Sequence, residues 1–204
     1  MRRIIVGISG ATGVIYGTRL LDVLRETDIE THLVLSDGAR RNFKIETDLS
    51  IAQVEALADK VHDIKDVGAP IASGSFKTDG MVIVPCTIKT LSGIAHSYND
   101  NLIVRAADVV LKERRKLVVM VRETPLHKGH LELMCRVADL GGVILPPVPA
   151  FYHAPRTIKD LIDQTVGKIL DQLDVDHCLF RRWQGVEEAP EVLESIAAGR
   201  NRRS

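Results

Sequence analysis

A glycine-rich loop near the start of the chain has the residue types that bind anions. The segment SGATGVIYG contains Gly10, Gly13 and Gly17, between an apolar run at residues 4–8 and a helical pattern. Glycines at such a turn let the backbone approach a ligand, and the following helix directs unpaired amides and its positive dipole end at an anion. We therefore expect a phosphate here, although the same glycines also suit close packing of a strand against a helix.

A second loop, rich in hydroxyl groups, follows another apolar run. In MVIVPCTIKTLSG, Pro85 is expected to end the strand, and Thr87, Lys89 and Thr90 cluster where a helix begins. Two such loops at neighbouring strand ends suit the phosphate of a mononucleotide. The alternative is an ordinary helix N-cap at Thr87. Cys86 is interpreted as a buried structural residue, because no partnering histidine is evident.

A charged pair, Arg122 and Glu123, follows a third apolar run and precedes Pro125, where the next helix is expected to begin. Residues just after a strand of an open α/β sheet face the ligand crevice. Glu123 is a candidate for proton transfer and Arg122 for binding a flavin carbonyl or a phosphate. A structural ion pair is the alternative. Further along, ILPPVPAFYHAP holds Tyr152 between prolines as a candidate pocket wall.

The elements that must position these loops alternate along the chain. Short runs rich in Val and Ile predict buried parallel strands at residues 4–8, 32–35, 81–84, 117–121 and 143–145. Helical periodicity predicts helices at residues 14–25, 39–45, 51–58, 91–96, 102–114, 126–140 and 158–173. This alternation predicts an α/β fold with an open, doubly wound parallel sheet. We expect one domain over residues 1–184 and a charged tail over residues 185–204.

Composition argues against several classes of protein. The 204 residues contain 27 Lys and Arg against 27 Asp and Glu, so no global field favours nucleic acid or an anionic membrane surface. No apolar run approaches the roughly 20 residues of a membrane span. The three cysteines and the seven histidines lack metal-ligand spacing, so we expect no metal site and a reducing, cytoplasmic location.

With these loops in place, residues 1–183 resemble the UbiX-type flavin prenyltransferases. The resemblance is carried jointly by GISGATGVIYGTRLL, ETHLVLSDGAR, ETD, SGSF, PCTIKTLSGIAHS, RAADVVLKERR, VRETPLH, LPPVPAFYH and RWQG. It implies a Rossmann-like or flavodoxin-like fold of three layers, with helices on both faces of the sheet, that binds FMN. The implied reaction moves a dimethylallyl group from dimethylallyl phosphate to N5 and C6 of reduced FMN. The prenylated FMN would serve a UbiD-type decarboxylase, and the family implies a homo-oligomer, a dodecamer.

The resemblance also assigns roles to residues. The implied FMN contacts are Gly10, Ala11, Thr12, Ser36, Thr87, Ile88, Lys89, Thr90 and Arg122. The implied contacts to the prenyl phosphate are Tyr152 and Lys168, and the implied catalytic positions are Glu123, Glu46, Lys112 and Trp183. Glu123 is the preferred general acid-base candidate, ahead of Glu46. Lys168 stands where some members have Arg, which keeps a cation but loses bidentate geometry, and Thr12 stands where many members have Ser.

Three other functions remain open on the sequence alone. A nicotinamide-dependent reductase would explain the glycine loop and Asp37, but none of the three tyrosines has the Lys four residues later that short-chain reductases use. A flavin-dependent cysteine decarboxylase shares the implied fold, yet SDGARRNFKIETD lacks the histidine expected there. A noncatalytic carrier that hands FMN to a decarboxylase is the third.

Overall fold

One parallel sheet forms the centre of the molecule. The computed structural model describes residues 1–185, and within them the sheet has the order β3-β2-β1-β4-β5-β6. Its strands are β1 Arg2–Ile8, β2 Ile29–Leu35, β3 Lys60–His62, β4 Gly80–Cys86, β5 Lys116–Val121 and β6 Val143–Ile144. Every neighbouring pair is parallel. This order is that of a doubly wound dinucleotide-binding sheet, so the predicted fold is confirmed.

Helices cover both faces of the sheet. They are α1 Val14–Leu24, α2 Asp37–Glu46, α3 Ile51–Glu55, α4 Ile88–Ala95, α5 Leu102–Lys112, α6 Lys128–Asp139 and α7 Ile158–Gln172, and Pro70–Ala72 form a short 3-10 helix. Each predicted helix and each predicted strand has a counterpart among these elements. Side-chain caps define several of the starts: Asn101 caps α5, and Thr157 caps α7 through a capping box with Asp160.

The central strands carry long apolar runs because both of their faces are buried. Along β1, Ile4, Val6 and Ile8 pack into the core under α1 and α7, whereas Ile5 faces the core under α4, α5 and α6. A strand buried on both sides gives a continuous apolar run rather than an alternating one, which is why the sequence reveals these strands.

Apart from shifts of up to about three residues at the ends of elements, the structure differs from the sequence prediction in three places. Strand β3 was not predicted, because it is only three residues long with a single apolar residue, Val61, and pairs only with β2 at the edge of the sheet. Strand β4 continues through Pro85 to Cys86, with a register shift that accommodates the missing amide. Helix α6 begins at Lys128 rather than at Pro125, and His127 occupies its N-cap position.

The predicted tail at residues 185–204 lies outside the described residues, apart from Gly185. Within the described part of the chain, no helix combines the length and the apolar composition that a membrane-spanning segment requires.

Candidate active site

A crevice opens at the carboxyl ends of β1, β2 and β4, where the strand order reverses. Strand β1 pairs with β2 on one side and with β4 on the other. The loops after these three strands therefore meet at the carboxyl ends of the strands. Ligands of doubly wound sheets bind at this position. The crevice has a volume of about 910 Å³, and the predicted residues that line it are Gly10, Ser36, Thr87, Lys89 and Thr90. Five of the nine predicted FMN contacts therefore line the same cavity.

Ser9, which sequence reasoning missed, ties two of these loops together. Its hydroxyl donates to the Pro85 carbonyl at 3.0 Å and accepts from the Thr87 amide at 2.8 Å. The side chain is almost completely buried between β1 and β4. Its place directly after the first apolar run was the available signal, because such positions face the crevice. Ser9 thereby fixes the spacing between the loop after β1 and the start of α4.

Two helix N-termini point into the crevice, each with a hydroxyl cap. Ser36 accepts from the Ala39 amide at 3.1 Å at the start of α2. Thr87 accepts from the Thr90 amide at 3.1 Å and donates to the Thr90 hydroxyl at 3.0 Å at the start of α4. The alternative interpretation of Thr87 as an N-cap is therefore confirmed. It does not exclude anion binding, since a capped helix still presents further free amides and its dipole.

The loop after β1 approaches α2 so closely that only glycine fits. A methyl group on Gly10 would lie 2.8 Å from the Cα of Gly38, and a methyl group on Gly38 would meet the Cα of Gly10 at the same distance. Gly13 has φ of +97°, a left-handed conformation that glycine adopts without strain. Gly17 serves packing instead, because a methyl group there would lie 2.6 Å from Ile8 Cδ1.

Glu46 occupies the N-terminus of α1. Its carboxylate accepts from the Gly13 amide at 2.8 Å and from the Val14 amide at 3.2 Å. A phosphate was expected at this loop from the sequence, and in the structure these two amides already donate to the side chain of Glu46 at the end of α2. A carboxylate at a helix N-terminus is favoured by the macrodipole and by the unpaired amides. The free helix ends at the crevice are therefore those of α2 and α4.

Arg122 and Glu123 follow β5 directly, as expected. The Arg122 amide donates to the Cys86 carbonyl at 3.0 Å, which places the residue beside the end of β4. Burial raises the pKa of Tyr16, whereas its hydrogen bond with Thr165 and the positive charge of Arg122 act in the opposite direction. Glu123 is exposed, and its carboxylate accepts from the Thr124 amide at 3.0 Å.

The remaining predicted FMN contacts lie within the same loops. Ala11 is buried and Thr12 exposed in the loop between β1 and α1, and Ile88 is the first residue of α4. Cys86 is fully buried, and burial raises the pKa of its thiol far above the ordinary range. A thiol in that environment is a packing group rather than a nucleophile, as the sequence indicated.

Tyr152 and Trp183 form a second group, away from the hydroxyl-rich crevice. Their rings meet edge to face, with centroids 5.9 Å apart and planes at 78°. Together with His153 and Arg182 they line a smaller pocket of about 260 Å³. Lys168 lies on α7 nearby, and its ammonium group is 3.5 Å from the Asp171 carboxylate. Two exposed aromatic faces and a cation are therefore grouped on the outer side of α7.

Lys112 lies at the opposite end of the strands, where β5 begins. It ends α5, four residues before β5 begins, whereas Arg122 follows the other end of β5. The six residues of β5 separate the two ends by about 20 Å. Lys112 pairs with Glu113 beside Gly74. Within one copy of the chain, Lys112 therefore cannot reach a ligand in the crevice.

Comparisons with known proteins agree with this geometry. The model of the Flavoprotein family matches residues 1–182. The flavin prenyltransferase UbiX of Escherichia coli strain K12 is 63% identical over 188 residues, which cover 91% of this chain and 100% of that protein.

Two solved structures are similar as well. The crystal structure of AnUbiX in complex with FMN and dimethylallyl pyrophosphate has a TM-score of 0.90 and 53% identity, covering 91% of this chain and 99% of that one. The dodecameric FMN-dependent UbiX-like decarboxylase of Escherichia coli O157:H7 has a TM-score of 0.88 and 49% identity, covering 90% and 100%. The chain belongs to the Flavoprotein family and, within it, to the UbiX-type flavin prenyltransferases.

Proposed function

We propose that this protein transfers a dimethylallyl group from dimethylallyl phosphate to N5 and C6 of reduced FMN and releases phosphate. The observation that carries the proposal is the pair of capped helix N-termini, α2 and α4, held at one crevice by Ser9 in a chain 63% identical to a flavin prenyltransferase. Such a crevice binds the phosphate of a mononucleotide. The reaction itself is inferred from membership of the UbiX-type flavin prenyltransferases.

The residues of the crevice fit FMN. Ser36, Thr87 and Thr90 supply hydroxyls, and Lys89 supplies a cation at the start of α4, which together suit a phosphate. The close approach at Gly10 leaves backbone rather than side chains against the ligand. Ala11, Thr12, Ile88 and Arg122 complete the set of proposed contacts. When bound and reduced, FMN supplies an electron-rich ring that an allylic carbon can alkylate.

The prenyl donor requires groups that stabilise a leaving phosphate. Tyr152 offers a phenol, and Lys168 and Lys112 offer ammonium groups, and preorganised donors of this kind stabilise the negative charge that develops as the carbon-oxygen bond breaks. Trp183 presents an aromatic face, which attracts the positive charge on the allylic fragment. These are the roles we assign to the second group of residues and, from another copy of the chain, to Lys112.

Proton movement is assigned to Glu123. Bond formation at C6 requires removal of a proton, and Glu123 lies exposed at the end of β5 beside Arg122. Glu46 is the weaker candidate, because its carboxylate already accepts two amide hydrogen bonds at the start of α1. Its geometry indicates that it holds the loop after β1 in place.

In the proposed site, Lys112 would come from a second copy of the chain. Lys112 lies about 20 Å from Arg122 along β5, so a second copy must supply it if it contacts the donor. A homo-oligomer agrees with the dodecameric relative, and we propose a dodecamer here too. We further propose a UbiD-type decarboxylase as recipient of the prenylated FMN and a cytoplasmic location, which is consistent with three unpaired cysteines.

Release of inorganic phosphate tests this function. Purified protein loaded with FMN is reduced without oxygen, mixed with dimethylallyl phosphate and assayed for phosphate, with oxidised FMN as the control. We expect about one phosphate per bound flavin, and none with oxidised FMN. A protein that binds FMN tightly but releases neither phosphate from the monophosphate donor nor pyrophosphate from the diphosphate donor is a carrier rather than a transferase.

A further inference from the structure

After α7 the chain turns back along the outer face of that helix. We call residues 177–183 the C-terminal strap, because they run from the end of α7 to the aromatic pair of Tyr152 and Trp183. Phe180 packs against the rings of His177 and His153, with centroids 5.4 and 6.4 Å away. The strap therefore connects the surface of α7 directly to the proposed donor site.

Asp171 on α7 is the main polar attachment of the strap. Its Oδ1 accepts from His177 Nε2 at 3.1 Å and from Arg182 at 2.8 Å, and its Oδ2 accepts from the other Arg182 nitrogen at 3.1 Å. The Arg182 guanidinium thus binds the carboxylate with both of its terminal nitrogens, a geometry that fixes orientation as well as distance. Lys168 Nζ lies 3.5 Å from the same Oδ2.

His177 is held in one orientation. Its ring is almost completely buried, and Nδ1 accepts from the Leu179 amide at 3.2 Å, which leaves Nε2 as the donor to Asp171. Burial alone would raise the pKa of Asp171, but its bonds from Arg182 and His177 outweigh burial and lower it. The carboxylate is therefore charged at neutral pH and retains its attachment there.

Gly167 supplies the steric part of the same attachment. A methyl group at this position would lie 2.5 Å from Phe180 Cε1 and 2.6 Å from His177 Cε1. The strap consequently lies directly on the backbone of α7, one helical turn before Asp171. The two attachments leave little freedom to the rest of the strap, which ends at Trp183.

We propose that Asp171 is a positioning residue of the prenyl-donor site, which joins Lys168 to the strap and sets the edge-to-face contact of Trp183 with Tyr152. The inference rests on the proposed function for its kinetic part. It assigns Asp171 no contact with substrate. If Asp171 were merely structural, its loss would free the strap and lower thermal stability, with no selective effect on the KM for the donor.

The chain offers a direct spectroscopic reporter. Trp183 is its sole tryptophan, so intrinsic emission excited at the tryptophan band reports the position of the strap. The test compares Asp171→Asn with Asp174→Asn as full-length proteins. Asp174 lies just beyond the same helix, pairs on the surface with Lys116, and has φ of +52°, which Asn tolerates.

In Asp171→Asn we expect Trp183 emission to shift to longer wavelength, with and without FMN. We also expect the KM for dimethylallyl phosphate to rise about tenfold, which corresponds to the loss of one aromatic pair at the binding site. The kcat should stay within about threefold of the wild-type value. The Kd for FMN should change less than about twofold, because Asp171 does not line the crevice. Asp174→Asn should match the wild type in all four quantities. Unchanged emission and an unchanged KM would overturn the inference, as would an equal loss of FMN affinity.

Arg182 variants keep the proposal testable if Asp171→Asn does not fold. Arg182 is about half exposed, so Arg182→Gln removes the two-nitrogen contact without opening the core. It should shift emission and KM in the same direction, and Arg182→Lys should fall between it and the wild type, since lysine keeps the charge but not the fork. Wild-type values for both Arg182 variants would refute the proposal. If wild-type protein releases no phosphate at all, the proposed function fails, while emission still decides whether Asp171 holds Trp183.

Discussion

Replacing Gly10 by alanine should damage the flavin crevice more than the fold. The added methyl group would lie 2.8 Å from Gly38 Cα and 3.1 Å from Gly38 C. Carbon atoms pack best at roughly 3.5–4.0 Å, so the contact is about 1 Å too short and involves backbone on both sides. Overpacking of this kind costs about 1–3 kcal/mol. The flavin-free protein can relieve the strain by moving the loop after β1 outward, whereas the proposed FMN contacts would require the closed spacing.

Most of this cost should therefore appear in flavin affinity. A cost of about 2 kcal/mol raises the Kd for FMN about 30-fold, measured by quenching of flavin fluorescence. Gly38→Ala creates the same contact from the other side and should give a similar loss. Gly68→Ala is the matched control, since its methyl group would meet only the Asp66 carboxylate, at 3.4 Å. A Gly10→Ala protein with the wild-type Kd would refute the placement of FMN against this loop.

Four further predictions follow from the geometry. Arg122→Ala should weaken FMN retention while leaving the melting temperature of the flavin-free protein nearly unchanged; the reverse pattern would make Arg122 structural. Glu123→Gln should bind FMN normally but form product roughly 10²-fold more slowly, and wild-type turnover would remove it as the proton carrier. Mixing Lys112→Ala with Glu123→Gln, co-expressed as joint oligomers, should restore about a quarter of the sites if the two residues come from different copies; no recovery would place them in one copy, and wild-type activity of Lys112→Ala on its own would remove Lys112 from the site. Burial alone would raise the pKa of Asp163, but bonds from Arg19 and Lys159 lower it. Asp163→Asn should therefore destabilise the protein by on the order of 2 kcal/mol at pH 7. That deficit should shrink as the pH falls below about 4, the ordinary carboxyl range, through the lowered pKa. A deficit in unfolding free energy that is constant with pH would contradict the ion pairs.

The fold could be predicted because most of its strands and helices leave a pattern in their own residues. Buried strands such as β1 and β4 leave apolar runs, and helices such as α5 and α7 begin at Asn or Thr caps that the sequence displays. The edge strand Lys60–His62 was not predicted, because three residues with one valine give no pattern and the strand depends on pairing with β2. Local signals fail where an element is stabilised only by its neighbour.

The loops that form the site could be predicted from the sequence, but the side-chain contacts within it could not. The positions of Ser36, Thr87 and Arg122 follow from the rule that residues after parallel strands face the crevice. The carboxylate of Glu46 on the amides of α1 was not predictable, since it joins residues 33 positions apart through a side chain. The connection from Asp171 through Arg182 to Trp183 has no sequence pattern either, because it arises only when the chain folds back on α7.

The mass of the flavin after turnover tests the proposed chemistry most directly. Wild-type protein is loaded with FMN, reduced without oxygen, incubated with dimethylallyl phosphate and denatured, and the extracted flavin is weighed by mass spectrometry. We expect FMN heavier by one dimethylallyl unit minus the hydrogen that it replaces, formed in step with the phosphate released. Flavin of unchanged mass, from protein shown to hold reduced FMN and exposed to the donor, would contradict a flavin prenyltransferase.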